Sequence, residues 1–185
     1  MINCLIRPSK RPVAWNEIRL LVLDCDGVLT NGKIIYGNNE QDIKQFHAAD
    51  GMGLMLLRET PIEVAVISGR SSQALSKRCE DLQIKILRQG VAKKLPVLSE
   101  ILEEKGLDFD NVVYMGDDWN DIPPMRRAAL SVCPSSALAE IKKVADMVTE
   151  HPGGEGAVRE LVNFILQKKG LYERAINGYL ESIGC

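Results

Sequence analysis

Arg19-Leu-Leu-Val-Leu-Asp24 runs directly into Cys25-Asp26-Gly27-Val28-Leu29-Thr30-Asn31-Gly32. Four consecutive aliphatic residues without polar alternation predict a strand buried on both faces, as in a parallel sheet covered by helices. Similar runs follow at Glu63-Val-Ala-Val-Ile-Ser68, at Asn111-Val-Val-Tyr-Met-Gly116 and, more weakly, over 130–133. Helical patterns fill the intervals over 51–59, 72–82, 92–105, 122–129 and 136–144. In the third of these, Leu95, Leu98, Ile101 and Leu102 line one apolar face. Strands alternating with helices, joined by right-handed crossovers, define an α/β fold with a doubly wound, mostly parallel sheet.

One segment departs from this alternation. Lys33-Ile-Ile-Tyr36 and Asp42-Ile-Lys-Gln-Phe46 flank Gly37-Asn38-Asn39, the pattern of a β-hairpin projecting after the first strand. At the other end, a loop over 152–156 leads into a helix over 157–169 that stops at Gly170. Leu171, Tyr172, Ala175, Ile176, Tyr179, Leu180 and Ile183 then recur at helical spacing. This tail either packs on its own domain or docks on a neighbouring subunit. The 185 residues fit one domain, with a core over 19–170, the hairpin at 33–46 and the tail at 171–185.

Composition narrows the function. The chain carries 23 Lys and Arg against 25 Asp and Glu, a net charge of -2 with the two signs interspersed. There is no basic field to drive nucleic-acid or membrane binding, so neither is expected as a partner. Cys4, Cys25, Cys79, Cys133 and Cys185 are odd in number and form no CxxC pair, which argues against zinc and against a disulfide framework. The apolar run over 20–23 is too short for a signal sequence or a membrane span, so the expected location is the cytoplasm.

Ligands of such sheets sit outside the carboxyl ends of the strands. Those ends carry Asp24-Cys25-Asp26, Ser68-Gly69-Arg70 and Gly116-Asp117-Asp118, with Lys94 opening the intervening helix. Clustered carboxylates repel unless compensated. An all-oxygen set without His or Cys selects a hard cation, and Mg²⁺ fits a site shared with a substrate phosphate. A calcium loop wants glycine at its sixth position, whereas Gly27 falls at the fourth. Dinucleotide fingerprints fail at Leu56 and Arg159, where a third glycine or alanine is required, and no P-loop occurs. With Mg²⁺ in place, Asp24 is assigned as nucleophile and Asp26 as the acid that protonates the leaving oxygen. Ser68 and Lys94 hold the phosphate oxygens and Asp117 completes the metal site.

Asp24-Cys-Asp-Gly-Val-Leu-Thr-Asn-Gly32, Ser68-Gly-Arg70, Lys94 and Gly116-Asp-Asp-x-x-Asp121 together resemble the four motifs of the haloacid-dehalogenase-type phosphatases. The hairpin, Phe46-x-x-x-Asp50-Gly-x-Gly53 and Gly153-Gly-x-Gly-Ala-x-Arg-Glu160 narrow the resemblance. They point to the capless subgroup of 3-deoxy-D-manno-octulosonate 8-phosphate phosphatases and to the related domain of acylneuraminate cytidylyltransferases. The resemblance spans 19–170. It implies an HAD-like core with no cap domain and Mg²⁺-dependent phosphomonoester hydrolysis through an aspartyl-phosphate. It also implies metal ligands from Asp24, Asp117 and the backbone carbonyl of Asp26, with Asp118 and Asp121 in support. Substrate contacts are implied for Thr30, Asp50, Gly69, Arg70 and Arg159. The implied assembly is a homotetramer whose hairpins associate and whose neighbouring subunits cover the active site.

Two positions depart from the subgroup: Ala49 and Glu155 stand where many members carry basic residues that suit a sugar-acid carboxylate. Arg70, Arg159 or a neighbouring subunit can supply that charge, and His47 and His151 can face the sugar. Three other readings stay open: a phosphatase for another sugar acid such as a nonulosonate 9-phosphate, a phospho-accepting receiver domain, and a non-catalytic assembly module. The receiver reading is disfavoured because its lone acceptor Asp precedes the lysine and no acidic cluster follows it. The assembly module has no reason to retain Asp24, Asp26, Lys94 and Asp117.

Overall fold

The computed structural model describes residues 12–36 and 42–184. The elements are β1 (Leu20–Leu23), β2 (Ile35–Tyr36), β3 (Asp42–Ile43), α1 (Ala48–Leu56), β4 (Glu63–Ile67), α2 (Gln73–Asp81), β5 (Ile86–Arg88), α3 (Lys94–Lys105), β6 (Val112–Met115), α4 (Ile122–Arg127), β7 (Leu130–Cys133), α5 (Ala139–Val144), β8 (Met147–Val148), α6 (Ala157–Lys168) and α7 (Tyr172–Ser182). Six strands form one parallel sheet in the order β5-β4-β1-β6-β7-β8. From β1 the chain steps outward through β4 and β5, then returns to the other side through β6, β7 and β8. The direction of winding reverses beside β1, which opens a crevice at its carboxyl end.

Side chains of the central strands are all buried and alternate between the two faces of the sheet. Leu21 and Leu23 of β1 and Val113 and Met115 of β6 join Leu54 of α1, Leu75 of α2 and the apolar stripe of α6 on one face. Leu20, Val22, Val112 and Tyr114 join Leu98 and Ile101 of α3, Met125 of α4 and Ile141 of α5 on the other. Both faces are therefore covered, which is why β1 reads as a continuous apolar run.

Two strands went unrecognised in the sequence. β5 has three residues and β8 two, lengths at which pairing with β4 and β7 decides the conformation rather than local pattern. The first predicted helix starts earlier, at Ala48, and its last turn tightens into a 3-10 turn over Leu57–Glu59. Helices predicted from 92 and 136 begin at Lys94 and Ala139.

The hairpin is an antiparallel ribbon of β2 and β3, with pairs Ile35↔Ile43 and Tyr36↔Asp42, shorter than the pattern implied. Its tip at Gly37-Asn38-Asn39 lies outside the described residues, as do Cys4 and Cys185. The start of the tail packs on its own domain, with Ala175 of α7 buried in the core and Leu171, Tyr172, Ile176 and Tyr179 against it, while Leu180 and Ile183 stay exposed. No helix among the described residues is long and apolar enough to cross a membrane.

The loop before α6 is pressed onto the loop after β1. The Gly154 amide donates to Val28 O at 2.9 Å. A β-carbon on Gly153 would lie 1.7 Å from Gly27 O. Both groups are backbone, so neither can swing aside. Gly153→Ala should lower unfolding free energy by about 2–3 kcal/mol, the upper range of overpacking, and loosen the 24–30 loop. Urea unfolding monitored by circular dichroism checks the first effect and amide exchange in that loop the second.

Candidate active site

Asp24 leaves β1 at its carboxyl end, where the crevice opens. Lys94, the first residue of α3, is 1% exposed and reaches between two chain segments. Its Nζ lies 2.8 Å from Asp24 Oδ1 and 2.8 Å from Asp121 Oδ1. Asp121 is wholly buried. Its Oδ1 also accepts from the Tyr114 hydroxyl at 2.7 Å, and its Oδ2 accepts from the Asp117 and Asp118 amides at 3.1 and 3.3 Å. Four donors thus occupy a carboxylate with about four lone-pair sites.

Local chain geometry places these groups. Asp118 caps the 3-10 turn Trp119–Asp121, its side chain accepting from the Trp119 amide at 2.7 Å. That turn directs Asp121 inward beneath β6. Gly116 admits it: a β-carbon there would meet Asp121 Cγ at 2.3 Å. Gly27 has a φ of 86° and a β-carbon there would strike Asp117 Oδ2 at 1.9 Å, so glycine is required both for conformation and for space.

Asp24, Asp117 and Asp121 each offer an oxygen, and these lie within 4.8 Å of one another. One ammonium does not balance three carboxylates. Burial, followed by repulsion from Asp121, pushes the Asp24 carboxyl up to about 7. Burial, followed by repulsion from Asp24 and Asp121, pushes Asp117 up to about 8. Burial works against the charge of Lys94, but Asp121 and Asp24 outweigh it and its pKa rises. Asp117 Oδ1 is buried and has no hydrogen-bond partner among the described residues. A cluster of hard oxygens with one orphaned buried oxygen and excess negative charge suits a divalent cation such as Mg²⁺.

The haloacid dehalogenase-like hydrolase family pattern matches residues 80–161, the span that contains Lys94, Asp117 and Asp121. A relative from Escherichia coli (strain K12), named 3-deoxy-D-manno-octulosonate 8-phosphate phosphatase, is 42% identical over 86% of this chain and 85% of its own length. A Haemophilus influenzae relative of the same name is 36% identical over 90% of this chain and 94% of its own. The crystal structure of the Moraxella catarrhalis phosphatase of that name, in complex with magnesium, phosphate and the sugar acid, superimposes with a TM-score of 0.86. It is 32% identical and covers 89% of this chain and 95% of that one. The chain belongs to the 3-deoxy-D-manno-octulosonate 8-phosphate phosphatase group of the haloacid dehalogenase-like hydrolases.

Against this family's pattern, the predicted site residues fall into three sets. Asp24, Lys94 and Asp117 converge as expected, while Asp121, expected only in support, is the hub that fixes the other three groups. Ser68 ends β4, is buried, and accepts from the Arg70 amide at 3.3 Å. Gly69 lies beside Asn120 of the Trp119–Asp121 turn, so Ser68-Gly69-Arg70 borders the same crevice.

The second set lies around this cluster. The Asp26 carboxylate, expected as the acid–base group while its backbone carbonyl faces the metal, is engaged by Lys44 of the ribbon and is not one of the three clustered carboxylates. Asp118 is occupied as a turn cap.

The third set is tied into the surrounding fold. Asp50, expected to face substrate, caps α6, accepting from the Gly156 and Arg159 amides at 3.2 and 2.8 Å. Arg159 packs on Gly53 and donates to Asn163 at 3.1 Å. Thr30 is buried and pins its own loop, its hydroxyl accepting from the Gly27 and Gly32 amides. His151 is exposed and pairs with Glu160 at 2.8 Å, which raises its pKa. Ala49 and Glu155 are exposed.

Sequence reasoning missed Tyr114 and Lys44. A hydroxyl inside an otherwise apolar buried strand needs a partner, and that was the available signal for Tyr114. No comparable signal marks Lys44.

The raised carboxyls set a pH dependence. A carboxyl whose folded pKa lies above its unfolded 3.8 favours folding at low pH, and that contribution is lost as pH rises through the folded values near 7 and 8. The melting temperature of chelator-treated protein should therefore fall between about pH 5 and about pH 8. Mg²⁺ at roughly a hundredfold excess over Kd should restore about 2–3 kcal/mol, and more at the alkaline end. Calorimetry across that range with and without Mg²⁺ checks both.

Proposed function

We propose that this chain hydrolyses 3-deoxy-D-manno-octulosonate 8-phosphate to the free sugar acid and phosphate, by way of an aspartyl-phosphate on Asp24. The observation that carries the reading is the buried Lys94 bridging Asp24 and Asp121 beside the orphaned Asp117 oxygen. Asp24, Asp117 and the Asp26 backbone carbonyl would hold Mg²⁺, whose charge would favour the ionised nucleophile and the bound phosphate. Asp121 has its oxygens filled by Lys94, Tyr114 and two amides, so it orients rather than ligates.

Asp24 attacks phosphorus in line as the ester oxygen departs. Lys94 and the Ser68 hydroxyl stabilise the charge developing on the phosphoryl oxygens. Asp26 gives its proton to the departing sugar oxygen, then takes one from the water that opens the aspartyl-phosphate. Gly69 and Arg70 border the entrance and contact the substrate. The core over 19–170 acts as one catalytic unit with no cap domain.

The active form is a cytoplasmic homotetramer. The support is the ribbon, where Ile34, Ile35 and Ile43 are about half exposed and Tyr36 is 76% exposed, an apolar surface suited to association. Neighbouring subunits cover the active site in place of a cap domain.

The test is phosphate release from a panel of sugar phosphates with and without Mg²⁺. The octulosonate 8-phosphate should be turned over fastest, and only with Mg²⁺. Asp24→Asn should lose at least about a thousandfold in kcat, because no acyl-phosphate can form. Undiminished turnover by that variant removes the covalent mechanism, and equal turnover of neutral sugar phosphates removes the substrate assignment.

A further inference from the structure

Lys44 directly follows β3 and joins the ribbon to the site. Its side chain is 4% exposed, whereas that of its partner Asp26 is 22% exposed. Nζ donates to Asp26 Oδ1 across 18 positions of sequence. The surroundings are fixed: Phe46, two residues on, packs against the core with the Arg78 guanidinium 5.7 Å above its ring, and Arg78 donates to His47 O. A lysine buried to this degree is held in one geometry. A carboxyl group is otherwise loose, because its terminal torsion is broad and two-fold.

We infer that Lys44 is a positioning residue for hydrolysis: by anchoring Asp26 Oδ1 it presents Oδ2 as the one oxygen that exchanges protons with the substrate. This rests on the acid–base role proposed above for Asp26. In the first half-reaction the Oδ2 proton passes to the ester oxygen as its bond to phosphorus breaks and the bond from Asp24 forms. In the second, a water oxygen bonds to phosphorus, its proton passes to Oδ2, and the Asp24–phosphorus bond breaks. Lys44 donates to Oδ1 throughout and keeps its own proton.

Anchoring and simple charge predict opposite outcomes. A nearby ammonium acting only through its field favours the carboxylate and opposes proton donation, so removing it would speed the cleavage of alkyl esters. Loss of an anchor slows that cleavage.

The experiment compares kcat/KM for the alkyl substrate, the octulosonate phosphate, with that for p-nitrophenyl phosphate, whose leaving group departs without a proton. It uses Lys44→Met, Lys44→Arg, Asp26→Asn and the Lys44→Met/Asp26→Asn double variant. Lys44→Met should lose about tenfold or more on the sugar phosphate and less than about threefold on the aryl ester. Lys44→Arg should recover most of the loss, and the double variant should be no worse than Asp26→Asn alone. Equal losses on both substrates mark a role in folding or assembly and overturn the inference, as does unchanged or faster sugar phosphate cleavage in Lys44→Met. If Asp26→Asn itself shows no leaving-group selectivity, the acid–base assignment falls first and this inference with it.

Discussion

A single ammonium shared by two buried carboxylates organises this molecule. Lys94 can lie at the heart of the domain only because Asp24 and Asp121 meet it at hydrogen-bonding distance from two different strand ends. Removing either partner would strand a charge in a medium that solvates it poorly. The neighbouring features follow from holding that contact. Tyr114 and two amides complete Asp121, Gly116 leaves room for it, and Gly27 leaves room for Asp117. The ends of β1 and β6 and the start of α3 are thereby drawn together.

The arrangement is deliberately short of positive charge. Burial, and then the repulsion among three carboxylates that face one lysine, raises the proton affinity of Asp24 and Asp117. A cation placed beside these carboxylates favours their ionised forms. The same imbalance that destabilises the site alone makes it receptive to a divalent ion, and then to a phosphate dianion that needs both the ion and Lys94. Affinity for the cation and reactivity of Asp24 thus share one electrostatic cause.

Parts of the chain distant from the chemistry fix the shape of the catalytic loop. Asp50 of α1 caps α6, which sets the 152–156 loop, and that loop presses its glycines onto residues 27–31. The ribbon takes hold of Asp26 through Lys44. The loop after β1 is consequently held both by backbone contacts and by an ion pair. Asp50 and Thr30 both take part in fixing that loop through hydrogen bonds to backbone amides.

Local pattern and strand-end chemistry were sufficient to read the α/β class, the long central strands and the convergence of Asp24, Lys94 and Asp117. Aliphatic runs report two-sided burial directly, and acids at successive strand ends must meet at one rim once the sheet is parallel. The short edge strands β5 and β8, the self-packing of α7 and the caps made by Asp50 were decided only in three dimensions, since each depends on a partner far away in sequence. Lys44 shows the limit most plainly. In sequence it is one lysine of a hairpin in which polar and apolar residues mix, and no local pattern marks it for burial or for a partner. Its place beside Asp26 exists only because β3 folds back over the end of β1, and an ion pair between separate segments leaves no trace in the periodicity of either.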